Sequence, residues 1–477
     1  MPRLAPTLLS FAALAATLLA SEPPPSHADP APPIAPPRAL PSLASTKYKL
    51  PNGLEVILHE DHRTPTVTTN LWYHVGSKDE PAHKNGFAHL FEHVMFQGSK
   101  HVAEDTFFRH LEQAGGTGVN GTTNTDRTNY FETVPKNRLE LALWLESDRM
   151  GFLLDHADAS TFQSQREVVK NERRQNYENA PYGLVLSFIR AELFPEGHPY
   201  HLLTIGTPQD LDNATMEDVR GFFRTWYRPG NATLVVCGDL EIASTRALVE
   251  KYFGPIPANG EPARPPPVPA VSRAAPTRLE VVAGVELPRV TVSWVTPAFF
   301  APGDAELDVV AHVLSEGKTS RLYKRLVYDL QSAQSVSASQ QSMQLASVFE
   351  ITATAKPGHT PEELLLEIDR ELDLLEQKGV TDAELSRAKT VMEAQVLFDL
   401  ERGGSRANRL NTYNHYTGDP GYLERDLERT RSITREALAG AQKTLLPRSA
   451  RVVTIVTPEK DAPLAGRLVK AVKGSGK

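Results

Sequence analysis

The chain has 477 residues, 40% of them apolar and 23% charged, with a formal net charge of −7. That length suits two domains with separate cores, and an acidic balance with no Lys/Arg-rich run to offset it argues against nucleic acid as the main partner. A single cysteine, Cys237, rules out an internal disulfide, so packing alone must hold the fold.

Residues 1–28 read as an export signal. Arg3 gives a short positive start, residues 8–20 form an apolar run, and small residues follow at Ala20-Ser21 and Ser26-His27-Ala28, so cleavage is expected after Ala20 or Ala28. The run is too short to span a bilayer and no other stretch approaches that length. The sequence therefore implies no membrane span and a mature chain outside the cytoplasm, periplasmic or secreted. Residues 29–44 continue a proline-rich leader, with nine prolines between 22 and 41, the composition of an extended segment.

A first domain is expected over residues 45–257. Residues 53–59 and 67–75 carry the alternating or β-branched signal of strands, and residues 231–238 that of a buried strand in which Cys237 is a small hydrophobe. Residues 85–97 and 136–154 show helical spacing. Ser160 with Gln163 reads as a capping box opening a third helix that runs to about residue 179. Eight prolines between Pro255 and Pro276 mark a linker over residues 258–277. A second domain follows at 278–462, and the Lys/Gly-rich tail at 463–477 is expected to fray. Strands and helices mix without strict alternation in both halves, so the fold class is α+β. The halves also match each other. A shift of 219 residues lays His93 on His312 and Gly98 on Gly317, but sets Asp308 opposite His89 and Ala311 opposite Glu92, the pattern of a duplicated domain that lost a site.

The residues that carry chemistry are His89-Leu90-Phe91-Glu92-His93. On a helix, positions i, i+3 and i+4 share one face, so two imidazoles and a carboxylate point into one space. Two histidines on one turn clamp a tetrahedral N/O-ligated metal, most often zinc. Glu92 then stands beside the metal, placed as general base for a zinc-activated water and as proton carrier to a leaving amine. A hydrolytic zinc site needs a third protein ligand. Glu167 and Glu172 on the helix after Ser160 are both candidates, and spacing does not choose between them. The glycine-rich stretch from Gly115 to Thr123 lacks the lysine of a phosphate loop. His59, His74 and His198 lack ligand spacing.

With these motifs in view, the sequence resembles the pitrilysin/insulinase family of inverted-motif zinc peptidases, in its half-length bacterial form related to mitochondrial processing peptidase. The resemblance rests on Gly86-Phe-Ala-His-Leu-Phe-Glu-His93, Asp126-Arg-Thr-Asn-Tyr130, Leu145-Glu-Ser-Asp-Arg-Met150 and Val168-Val-Lys-Asn-Glu-Arg173. Trp226-Tyr-Arg-Pro-Gly-Asn-Ala232 and Thr417-Gly-Asp-Pro-Gly421 extend it. It implies two homologous α/β-roll domains, each a mixed, mainly antiparallel sheet packed with helices, closing as a clasp. It selects Glu172 as third ligand to one zinc ion per chain, with Gln165 standing where several relatives carry an orienting glutamate. It puts Asn120 on an exposed strand that pairs with the substrate backbone, and offers Arg321 as a holder of the substrate carbonyl. The tyrosine that relatives carry near Gln334-Ser335 is absent, and Tyr323 and Tyr328 fit a packing role at least as well as its place. The expected substrates are short or unfolded peptides, and the expected partner is a homologous chain, as heterodimer or homodimer. The alternative is a non-catalytic assembly subunit, against which the intact motif weighs.

Overall fold

In the computed structural model, residues 43–156 and 158–474 are described; the expected export signal and nearly all of the leader lie outside them. Each half of the sequence builds a six-stranded sheet. The first takes β1 (Thr46–Lys49), β2 (Glu55–Glu60), β3 (Thr66–Tyr73), β4 (Thr117–Thr123), β5 (Thr128–Pro135) and β6 (Ala232–Gly238) in the order β1-β2-β6-β3-β5-β4. The second takes β7 (Thr277–Ala283), β8 (Arg289–Thr296), β9 (Ala333–Gln341), β10 (Ser347–Ala355), β11 (Val452–Pro458) and β12 (Arg467–Lys473) in the order β12-β7-β11-β8-β10-β9. In each, one central pair is parallel, β2 with β6 and β7 with β11, and the other pairs are antiparallel. β5 begins at Thr128 and its counterpart β10 at Ser347, 219 residues later.

Strand position follows composition. All seven residues of β6 are buried, as an unbroken apolar run between two neighbours requires. β4, rich in glycine, threonine and asparagine, takes the edge, where its polar residues face water. The first half adds helices α1 (Phe87–Val94), α2 (Phe107–Gln113), α3 (Leu139–Phe152), α4 (Ala159–Arg173), α5 (Val185–Leu193), α6 (Pro208–Asp212), α7 (Met216–Trp226) and α8 (Ile242–Phe253). The second adds α9 (Asp304–Ser315), α10 (Pro361–Lys378), α11 (Asp382–Asp399), α12 (Gly403–Thr417), α13 (Leu423–Arg431) and α14 (Arg435–Leu445). α1 is anchored by Phe87, Leu90, Phe91 and Val94, all buried in the first core. Phe91 lies 5.2 Å from the Phe222 ring and 5.1 Å from that of Tyr227, and each such burial contributes roughly 1.5–3 kcal/mol.

The halves are less separate than a sequence boundary suggests. α5 belongs to the first half but packs on the second sheet, where Val185, Ile189 and Leu193 join Leu279, Val281, Val452 and Val456 in a third core. α12 does the converse: Asn411 Nδ2 donates to Asn70 O at 2.9 Å and Asn414 Nδ2 to Glu55 Oε2 at 2.8 Å, both on the first sheet. Asp126, in the β4–β5 turn, ties the halves further. Its carboxylate accepts from Tyr200 Oη (2.5 Å), from the backbone N–H of Gln344 (2.9 Å) and from Tyr416 Oη (3.1 Å).

The proline-rich linker has no regular structure before Thr277 and is pinned by Arg264, which donates to His74 O and Asn231 Oδ1. The tail expected to fray forms β12 instead, antiparallel to β7. Its exposed lysines hide a strand from a periodicity reading, because an edge strand gains its backbone bonds without burying a face.

Candidate metal centre

α1 is short, and a glycine stands at its N-cap. Gly86 has φ +97°, and an added Cβ would lie 2.9 Å from Ile205 O, so only glycine lets the 203–206 loop lie against the helix start. With no cap side chain, two of the free amides at this helix start are taken by Glu80, which accepts from Gly86 N at 3.0 Å and Ala88 N at 2.9 Å. Burial pushes the Glu80 carboxyl well up, against those two bonds. α4 starts from Asp158, whose side chain accepts from Thr161 N at 2.8 Å. The cap is therefore Asp158 and not the expected Ser160, which lies inside the first turn. The α-helix ends at Arg173 and continues as one π-helical stretch over Arg174–Glu178.

α4 packs across α1, and this crossing brings three groups together. Glu172 Oε2 lies 3.3 Å from His93 Nε2 and 3.7 Å from His89 Nε2. Ligand atoms from all three residues fall within 4.8 Å of one another, the one such trio of His, Cys, Asp or Glu among the described residues. Tetrahedral zinc at roughly 2.0–2.1 Å from each ligand sets neighbouring ligand atoms about 3.4 Å apart, so the trio fits the ion. The side chains are 12%, 23% and 33% exposed for His89, His93 and Glu172, a gradient that leaves one side open to water and substrate.

The electrostatics suit a ligand set. Burial, helped by His93 and opposed by Glu172, holds His89 down at about 4, so it is neutral and offers a lone pair. The hydrogen bond with His93 holds the Glu172 carboxyl below its usual range. Burial raises Glu92, against a hydrogen bond from Thr123 Oγ1 to Glu92 Oε2 at 2.7 Å, which makes Glu92 a better proton acceptor than an exposed carboxylate.

Of the two glutamates that spacing left open, Glu167 turns outward to Lys170 at 3.2 Å, and Glu172 joins the histidines. Gln165 is buried but hydrogen-bonds to neither histidine, and His89 Nδ1 is buried without a partner among the described residues. Asn120 sits exposed on the free edge of β4, its Oδ1 accepting from Gly121 N at 2.9 Å. Arg321 is not brought to the trio. Its guanidinium is engaged inside its own half, with Nε 2.7 Å from Glu384 Oε1 and Nη2 donating to Glu384 Oε2 and Gly379 O. His74 is stacked on His415 with their Nδ1 atoms 2.6 Å apart. Sequence reasoning missed Glu80 and Thr123. The bare glycine cap of α1 was a signal for the first; nothing local signals the second.

The chain is similar to known proteins over most of its length. The sequence pattern described as "Insulinase (Peptidase family M16)" matches residues 55–202, and that described as "Peptidase M16 inactive domain" matches residues 213–392. Zinc protease PqqE of Helicobacter pylori is 31% identical over 369 residues, 76% of this chain and 82% of that one. The crystal structure of a protease from Helicobacter pylori is similar with a TM-score of 0.82 at 27% identity, covering 87% of this chain and 100% of that one. The periplasmic protease PqqL from Escherichia coli has the same fold, with a TM-score of 0.73 at 19% identity, over 87% of this chain and 48% of that one. The chain belongs to the pitrilysin/insulinase (M16) peptidase family, in its half-length form.

Proposed function

We propose that the protein is a zinc-dependent endopeptidase acting outside the cytoplasm on short or unfolded peptides. The observation that carries this is the convergence of His89, His93 and Glu172 beside a half-buried Glu92. The three would hold one zinc ion, which supplies Lewis acidity, polarising a carbonyl and lowering the pKa of water toward roughly 7. Glu92 does the proton work. It takes a proton from the attacking water and returns it to the amine nitrogen as the C–N bond breaks. The free edge of β4, with Asn120 on it, offers backbone N–H and C=O groups to an extended chain, which favours unfolded substrates of varied sequence. The export signal read in residues 1–28 supports a site outside the cytoplasm.

This half-length chain spans about half of PqqL, and Arg321 has its donors committed to Glu384 and Gly379. Both favour a second, homologous chain closing the clasp and supplying the groups that hold the substrate carbonyl. The test is to incubate the zinc-loaded protein with a mixed peptide pool, alone and with a homologous partner chain, with and without chelator, and to read products by mass spectrometry. Chelator-sensitive internal cleavage is expected. A protein that binds zinc yet cleaves nothing in either setting is an assembly subunit.

A further inference from the structure

The inner face of β4 bears on Glu92 at two positions, Gly121 and Thr123, which share a face because a strand alternates. At Gly121 the strand passes so close to α1 that an added Cβ would lie 3.0 Å from Glu92 Cγ and 3.1 Å from the Phe96 ring. The methylene stem of Glu92 has no room to swing that way. Two residues on, Thr123 Oγ1 donates to Glu92 Oε2 at 2.7 Å. A hydroxyl has one proton to give, and its other neighbour, Thr128 Oγ1, is uncharged and 3.4 Å away. The carboxylate takes it, since a hydrogen bond to an ionised group is roughly twice as strong as a neutral one. Glu92 makes no other hydrogen bond among the described residues, so Oε2 carries one bond and Oε1 none.

The strand that carries Thr123 is itself fixed. Arg127 Nη1 donates to Thr122 O at 2.8 Å and also to Thr122 Oγ1, and its guanidinium stands 5.1 Å over the Trp72 ring. Thr122 Oγ1 lies 2.6 Å from Asn129 Oδ1 on the neighbouring strand. Thr122 is thus pinned on one side of β4, while Gly121 and Thr123 press on Glu92 from the other.

We propose that Thr123 is a positioning residue for the proton carrier. It holds Glu92 Oε2, so that Oε1 is the oxygen that accepts the proton of the attacking water and delivers it to the leaving nitrogen. This rests on the peptidase reading above and adds which residue aims Glu92 and which oxygen acts.

The test compares Thr123→Val, which exchanges the hydroxyl for a methyl of the same shape, with Thr123→Ser, which keeps it. Three quantities are measured on the zinc-loaded full chain: kcat and KM on a cleaved peptide, zinc per chain, and the Glu92 rotamer in crystal structures. Thr123→Val should lower kcat by about 10- to 100-fold, the effect of losing one hydrogen bond to a charged group. KM should stay within about twofold, zinc at one per chain, and Glu92 should occupy more than one rotamer. Thr123→Ser should restore both kcat and a single rotamer. Wild-type kcat with a single rotamer in Thr123→Val overturns the proposal, as does a Thr123→Ser protein equally impaired, or loss of zinc in Thr123→Val. If the wild-type protein cleaves no peptide, the peptidase reading fails, and the rotamers alone decide whether Thr123 positions Glu92.

Discussion

The crossing of α1 with α4 and the crossing of α9 with α11 are the same piece of architecture used twice. In the first, His89, Glu92 and His93 face Glu172. In the second, Asp308 and His312 occupy the places of the two histidines and line a cavity of about 370 Å³, and Ala311 takes the place of Glu92. Of the two acids that α11 presents there, Glu393 is claimed by Arg431 at 2.6 Å and Asp399 lies 3.9 Å from Arg409, and no third ligand converges among the described residues. Sheet order and helix packing are kept because each core depends on many interchangeable apolar residues. The site is not, because it depends on a few residues of fixed type.

The sharpest test of this contrast lies in paired substitutions. Glu92→Gln should cut kcat by on the order of 10²–10⁴-fold while zinc stays bound, since the amide keeps the shape but carries no proton. His89→Ala or Glu172→Ala should lose both zinc and activity. His312→Ala, at the matching place in the other half, should change neither. Steady-state kinetics with metal analysis checks all four, and near wild-type turnover by Glu92→Gln would refute the base assignment.

A smaller effect is expected where the halves meet. Asp126→Ala removes three hydrogen bonds at once and strands the hydroxyls of Tyr200 and Tyr416 and the amide of Gln344. Urea unfolding should show a loss of about 2–4 kcal/mol. A change under about 0.5 kcal/mol, the range of ordinary surface substitutions, would mean that the exchanged helices α5 and α12 alone hold the halves together.

Asp308 should reveal what the second site became. Burial, with Asp304 adding and Arg429 opposing, pushes its carboxyl up to about 8, against roughly 3.9 in an unfolded chain. Between those values the folded protein holds a proton that the unfolded chain has released, so this group makes stability fall as pH rises from about 4 to about 8. Asp308→Asn should remove that fall, its Tm advantage over the wild type growing from pH 5 to pH 8. An advantage that does not vary with pH would contradict this.

The smallest effect concerns the helices that close each site. Asp158→Ala should cost about 1 kcal/mol as the cap of α4, and Thr381→Ala a similar amount at α11, where Thr381 Oγ1 accepts from Glu384 N at 3.2 Å, while Ser160→Ala should cost almost nothing. Equal losses at Asp158 and Ser160 in thermal unfolding would restore Ser160 as the cap.

Much of the site is legible in the sequence because helical spacing brings His89, Glu92 and His93 onto one face. The third ligand is less so. Glu167 and Glu172 have the same chemistry, and only the crossing of α4 over α1 turns one inward, so resemblance had to choose. Thr123 is not legible at all: its link to Glu92 spans 31 residues and depends on Gly121 letting a strand approach a helix. In the fold, strands and proline-rich boundaries can be read from local pattern. The exchange of α5 and α12 cannot, because an apolar helical face says that it is covered and not by which sheet. β12 escapes for a related reason, since an edge strand forms through its backbone and needs no apolar alternation.

The most direct test is anomalous diffraction at the zinc edge from crystals grown with zinc. One peak per chain is expected, between His89 Nε2, His93 Nε2 and the Glu172 carboxylate, with none beside Asp308 and His312. A chain with no peak at the first-half trio, or with a second one of equal height in the second half, would contradict the division of labour between the halves.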